Sequence, residues 1–346
     1  MAYSAIDKSS AHMNTVLYTG NNSTNAVTGV GFQPDLCWIK VRDDTSSHRI
    51  FDAVRGVTKR LKPDQNEAEA TESNGLTAFG TDGFTVGNSA AINGSGDLHA
   101  AWNWKANGQG SSNTDGTINT TYTSANQTSG FSICSWTGTG SAGTIGHGLN
   151  AVPKMIIVKR LDSADTWWVY HSALGSNDAY VALNEQNASS TSGGSGLWNS
   201  TAPTSSVFSV GTNTGVNGSG GTYVAYVYAE KAGYSKIDKW IGNGNANGTF
   251  AYCGFKPAFL LLKNTAITAS WVLLDAVRDP GNSVATAAFP DASGQEYDYT
   301  TLLDFVSNGI KIRSTGSAWN GAGNTIAFIA FGQTLVGSNN VPSLGR

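Results

Sequence analysis

Few residues in this chain stand at spacings that do chemistry. Two aspartates, Asp52 and Asp275, each head an Asp-Ala-Val-Arg string that ends at Arg55 or Arg278. Two carboxylates flanking a glycosidic bond are the machinery of polysaccharide cleavage, one as acid and the other as base or nucleophile. The competing reading makes each aspartate an acceptor that closes the turn after a strand. Trp198 and Trp319 lie in stretches rich in Asn, Ser and Gly. An exposed indole beside amides and hydroxyls stacks a sugar ring and bonds its edge, so both are candidate glycan or partner contacts. The alternative has them capping the ends of their folding units. His12, His48, His99, His147 and His171 are scattered, without the paired spacing a metal requires. Gly193-Gly194-Ser195-Gly196 lacks the Lys-Ser/Thr of a phosphate loop, and nothing around Ser195 suggests the strand and helix of a nucleophile elbow. The expectation is no catalytic residue, no metal and no cofactor.

Any such groups must be positioned by a turn-rich β scaffold. Glycine supplies 42 of 346 residues, and charged residues only 13% against an ordinary share of about 25%. Asn, Ser and Thr take over the surface, while 40% hydrophobic and 10% aromatic content is enough to build cores. The net charge of −3 comes without a basic stripe, so no nucleic-acid partner is expected. No apolar run approaches the roughly 20 residues of a membrane span, and Met1 to Ser10 lacks a signal-peptide core. A soluble protein outside the general secretory route is expected. Cys37, Cys134 and Cys253 form no disulfide framework, and Cys37 reads as a core residue.

The chain repeats itself. Proline-led apolar strands begin at Pro34, Pro153 and Pro257, offset by 119 and then 104 positions, and the same offsets carry Lys40 to Lys159 to Lys263. Their unbroken apolar character predicts burial on both faces, with the lysine marking the return to solvent. An aromatic-Gly turn precedes each strand, at Tyr18-Thr19-Gly20, Trp136-Thr137-Gly138 and Trp240-Ile241-Gly242. A closing Asn-Gly turn follows, at Asn93-Gly94, Asn217-Gly218 and Asn320-Gly321, where positive backbone angles are expected. The pattern predicts an all-β chain of three tandem β-sandwich, jelly-roll-like modules of about 100 residues. Their expected limits are 15–106, 131–232 and 233–335. An N-terminal arm (1–14), a polar linker (107–130) and a tail (336–346) lie between and around them. Within the linker, Thr117 to Tyr122 is a possible added edge strand, and the one expected helical turn lies near Gln65 to Glu72. Ile6, Asp7, His12 and Met13 mark the arm as a device for clipping onto neighbouring subunits.

Met1-Ala2-Tyr3-Ser4-Ala5-Ile6-Asp7-Lys8, Leu17-Tyr18-Thr19-Gly20-Asn21, Gly29-Val30-Gly31-Phe32-Gln33-Pro34 and Phe51-Asp52-Ala53-Val54-Arg55-Gly56 resemble virion structural, fibre-like proteins of marine tailed bacteriophages. So do Gly146-His147-Gly148-Leu149, Val152-Pro153-Lys154 and the closing Arg346. The resemblance covers essentially the whole chain and carries no catalytic residues. It implies a place on the virion, with tail or capsid proteins as partners and host surface glycan as a possible contact. It also implies a homo-oligomer, a trimer by analogy with tail fibres and capsid appendages. A tail-fibre or adhesin-like protein is the leading expectation, a head decoration protein the second, and a polysaccharide depolymerase the third.

Overall fold

The proline-led segments are the pivot of the molecule, because each buries side chains on both faces. A computed structural model gives the structure and describes residues 6–333. In it these segments run as strands Leu36–Val41, Met155–Arg160 and Pro257–Asn264. Successive side chains of a strand point to opposite faces. Leu36 and Trp38, Met155 and Ile157, and Phe259 and Leu261 therefore share one face and enter a core common to the whole chain. Cys37 and Ile39, Ile156 and Val158, and Leu260 and Leu262 point the other way, each pair into a private core. That division removes any polar alternation from the sequence.

One sheet layout recurs three times, in the order opening, closing, proline-led, return strand. The opening strands are Met13–Thr19, Phe131–Thr137 and Ser235–Ile241. The closing strands are Leu98–Trp104, Thr222–Tyr228 and Thr325–Gly332. The return strands are Arg49–Asp52, Trp168–His171 and Trp271–Asp275. Register repeats as well: Trp38 lies opposite Trp102, Ile157 opposite Tyr226, and Leu261 opposite Ile329. A smaller outer sheet covers each private core, of three, two and four strands in the first, second and third unit. The chain is all-β, built of two-layer sandwich units.

The units do not hang in a row. They close into a ring around the shared core. The last inward aromatics of the closing strands, Trp104, Tyr228 and Phe331, form a triangle with centroid separations of 6.5, 6.3 and 6.0 Å. Each seam repeats one backbone bond: Leu161 O accepts from Glu69 N, Thr265 O from Ser189 N, and Arg42 O from Glu296 N. The acceptors stand at equivalent positions after the three proline-led strands, and each donor belongs to the preceding unit around the ring. The three units are thus closed on one another within a single chain.

Several local expectations are corrected. Within 107–130 an edge strand of the second unit does form, but over Thr120–Asn126, shifted from the expected Thr117 to Tyr122, and it pairs with Phe131–Thr137. Its Ser and Thr content suits a strand with one wet face. The segment Gln65 to Glu72 forms no helix: Ala70–Thr71 pairs with Lys59–Arg60. Its charges bridge to Arg49, Arg55, Arg60 and Lys62 instead of along a helix face. The Asn of each closing turn ends a short helical turn, and the following Gly94, Gly218 and Gly321 keep negative φ. Positive φ falls two residues later, at Gly96, Gly220 and Gly323. Asn93, Asn217 and Asn320 are instead fully buried staples whose amides bond the loop after the opening strand. The aromatic-Gly turns need glycine because that loop approaches so closely. A Cβ on Gly20 would sit 2.0 Å from Gly94 O, and on Gly138 or Gly242 2.3 Å from Gly218 O or Gly321 O.

Candidate functional site

The residues able to do chemistry converge on the seams. Asp52 and Asp275 end equivalent return strands, and each bonds the arginine three residues on at 2.5 Å. Asp52 also accepts from the Tyr226 hydroxyl of the second unit at 2.8 Å. Asp275 accepts from Trp102 Nε1 of the first unit at 3.0 Å, and Arg278 lies 5.2 Å from the centre of that indole. Burial pushes the Asp275 carboxyl upward, but the Arg278 guanidinium and the hydrogen bonds outweigh it and hold it below the ordinary value. Both aspartates also accept backbone N–H groups of the turn that follows, from Arg55 or from Val277 and Arg278. The two carboxylates occupy different seams and are fully buried, so they form no pair about a common substrate.

The seam between the second and third units is built differently. At the equivalent positions stand His171, Leu174 and, facing them, Ile329. His171 Nε2 donates to Phe328 O of the third unit at 3.1 Å, and Nδ1 accepts from Ala173 N at 3.1 Å. That pattern fixes the neutral ring. Burial is the main cause that holds its pKa at about 4.

The three lysines were expected at the surface, yet Lys40, Lys159 and Lys263 are at most 2% exposed. Each ammonium is held by backbone carbonyls. Lys40 Nζ donates to Val41 O at 2.6 Å and Asp44 O at 3.0 Å. Lys159 reaches Asn66 O of the first unit, and Lys263 reaches Gln186 O of the second. Burial lowers all three to about 8. The repeated Lys was visible in the sequence, but the carbonyl partners that Lys159 and Lys263 find in another unit were not.

Trp198 and Trp319 do not present their rings to solvent. Trp198 is 2% and Trp319 7% exposed. Trp198 ends the helical turn Gly194–Trp198 and packs edge-on against Tyr170, while Trp319 lies beneath Tyr299 in the turn Ser317–Asn320. Both close private cores, as the capping reading has it. The described part of the N-terminal arm, from Ile6 onward, is likewise docked. Ile6 and Met13 are buried in the shared core, His12 lies edge-on to Tyr234, and Asp7 alone of the four is exposed. Met13 already begins the opening strand opposite Trp104, so this segment plugs the ring. The first five residues and the tail 336–346 lie outside the described residues.

Open space occurs at the outer ends of the seams. A cleft of about 370 Å³ separates the first and second units, and one of about 300 Å³ the third and first. The first carries Arg55, Glu69 and Asp162 on its walls, whereas no ionisable side chain lines the second. Asp162 is held near 2 chiefly by its bond to Arg160, so it is ionised at any ordinary pH. Nothing in the periodicity marked these clefts, because each is made by two units together.

A family model described as a domain of unknown function, DUF7483, matches residues 8–334. No curated protein matches the chain.

Proposed function

The chain belongs to the DUF7483 family, and we propose that it serves as a structural protein on the exterior of a bacteriophage particle, in a tail-fibre or adhesin-like role. Its partners are other virion proteins and the host surface, met by a neutral Asn, Ser and Thr exterior. The observation that carries this reading is the closed ring: three sandwiches share one apolar core, and the buried acids, bases and lysines are tied into its joints. Such a body offers a fixed shape, and similar faces repeated around it favour multivalent contact. The resemblance to virion proteins of marine tailed phages supports the same station.

Labelling the protein in intact particles and imaging the label tests it. Label confined to the tail supports the proposal. Label spread over the head replaces it with a capsid decoration role, and absence from purified particles overturns both. Release of new reducing ends from host envelope polysaccharide would instead make the chain a depolymerase.

A further inference from the structure

We propose that the cleft between the first and second units binds a neutral sugar residue of an oligosaccharide, an inference that rests on reading the chain as a surface-contacting protein. Its volume of about 370 Å³ falls in the range of small-molecule sites, roughly 300–1,000 Å³. Strand alternation explains its floor. Along the opening strand of the second unit, Phe131 and Ile133 enter the shared core, so Ser135 and Thr137 continue the same face outward. Thr222 stands opposite Thr137, and Tyr122 opposite Ser135. Where the sheet leaves the shared core, its inner face changes from apolar to hydroxyl.

These hydroxyls are uncommitted. Among the described residues, the side chains of Thr121, Ser135, Thr137 and Thr222 bond no other protein group. Two hydroxyls of the second unit that lie outside the cleft are instead tied locally, Thr139 to Ser141 O and Thr117 to Thr144 N. Leu161 and the Tyr122 ring add an apolar patch of the kind that packs against the C–H face of a pyranose. Glu69 from the first unit and Asp162 from the second supply charge-assisted acceptors for sugar hydroxyls. Each carboxylate is already paired, Glu69 with Arg55 and Asp162 with Arg160, so the walls carry no net charge to attract an ionic sugar, which selects the neutral class. The matched cleft between the third and first units is an internal contrast. It is uncharged, and its Asn14 amide already donates to Gly29 O and Val30 O.

The full chain is screened against an array of neutral and uronic-acid oligosaccharides, and the strongest neutral hit is titrated by calorimetry. The double variant Thr137→Val/Thr222→Val, at exposed strand positions, is expected to weaken binding at least about tenfold. Ser135→Ala is expected to weaken it less, and Val277→Thr in the matched cleft not at all. Denaturation midpoints confirm that each variant folds. No neutral binding by the intact chain, a preference for uronic acids, or unchanged affinity in the double variant each overturns the site. A chain found on the particle exterior that binds no sugar sinks the site alone. A chain that binds through the cleft yet is missing from particles sinks the particle reading alone.

Discussion

The seam between the first and second units and the seam between the second and third occupy equivalent positions but use opposite chemistry. In the first, Asp52, Arg55 and Tyr226 form a buried polar triad; in the other, the same three places hold His171, Leu174 and Ile329. The third seam sides with the first, with Asp275, Arg278 and Trp102. The inward residue of the neighbouring unit decides. A buried Tyr hydroxyl or Trp N–H needs an acceptor, and a buried carboxylate that supplies it needs a cation. Replace the donor by isoleucine and the carboxylate loses its purpose, so the arginine becomes leucine as well. His171 then satisfies itself on backbone groups. Three residues from two units change together because leaving any one unpaired is costly.

The sharpest way to break the comparison is to remove an acceptor. Asp52→Ala or Asp275→Ala leaves the buried guanidinium only its second, more exposed partner, Glu69 or Glu296, and orphans the Tyr226 hydroxyl or the Trp102 N–H; it is expected to lower stability by about 3 kcal/mol, the low end for a broken buried pair, read as a fall in urea midpoint at constant slope. A stability loss below about 1 kcal/mol would mean the triads are solvated.

Acid distinguishes the seams next. His171 is held at about 4 in the folded chain, against an ordinary 6.5. The unfolded chain therefore binds the extra proton first, and stability is lost as pH falls from 6.5 through 4. The shift corresponds to at most roughly 3 kcal/mol. His48, also lowered by burial, acts in the same direction, so His171→Gln should flatten only part of the slope.

Alkali acts on all three seams alike, and within the usable window each lysine contributes less than His171 does in acid. Lys40, Lys159 and Lys263 are depressed to about 8, so the unfolded chain holds more protons above that pH and stability rises as pH climbs toward 10.5. Burial raises the Cys37 thiol and the Tyr226 hydroxyl, which reverses the trend once their unfolded counterparts ionise, above about 9 and 10. The window from pH 8 to 9 is thus the one to measure, and Lys159→Met should reduce its slope.

The smallest expected effect is the most informative. The triple variant Asp52→His/Arg55→Leu/Tyr226→Ile grafts the apolar seam onto the polar one. It should fall within about 1 kcal/mol of the parent, because exchanging a whole buried polar set for apolar groups is near neutral. If the triple loses as much as Asp52→Ala alone, the seams are not interchangeable.

Much of the scaffold was legible from residue spacing. The offsets of 119 and 104 that relate Pro34, Pro153 and Pro257 hold through the return strands to Asp52, His171 and Asp275, while the buried Asn93, Asn217 and Asn320 of the closing turns recur at 124 and 103. The unbroken apolar run of each proline-led strand correctly implied two buried faces. The site was less legible. Trp198 and Trp319 look exposed by their polar neighbours in sequence, but Tyr170 and Tyr299 cover them. Lys40 looks like a strand end facing water, although the carbonyls of Val41 and Asp44 enclose it.

Local order along the chain therefore determined the strands, their recurrence and the all-β class, since pleat and turn obey nearest-neighbour rules. Ring closure, the burial of the lysines and the seam clefts were decided only in three dimensions. Apart from Lys40, which its own unit's carbonyls enclose, these depend on groups from another unit, such as Asn66 beneath Lys159 or Tyr226 against Asp52, at separations of 93 and 174 residues that no periodic pattern encodes.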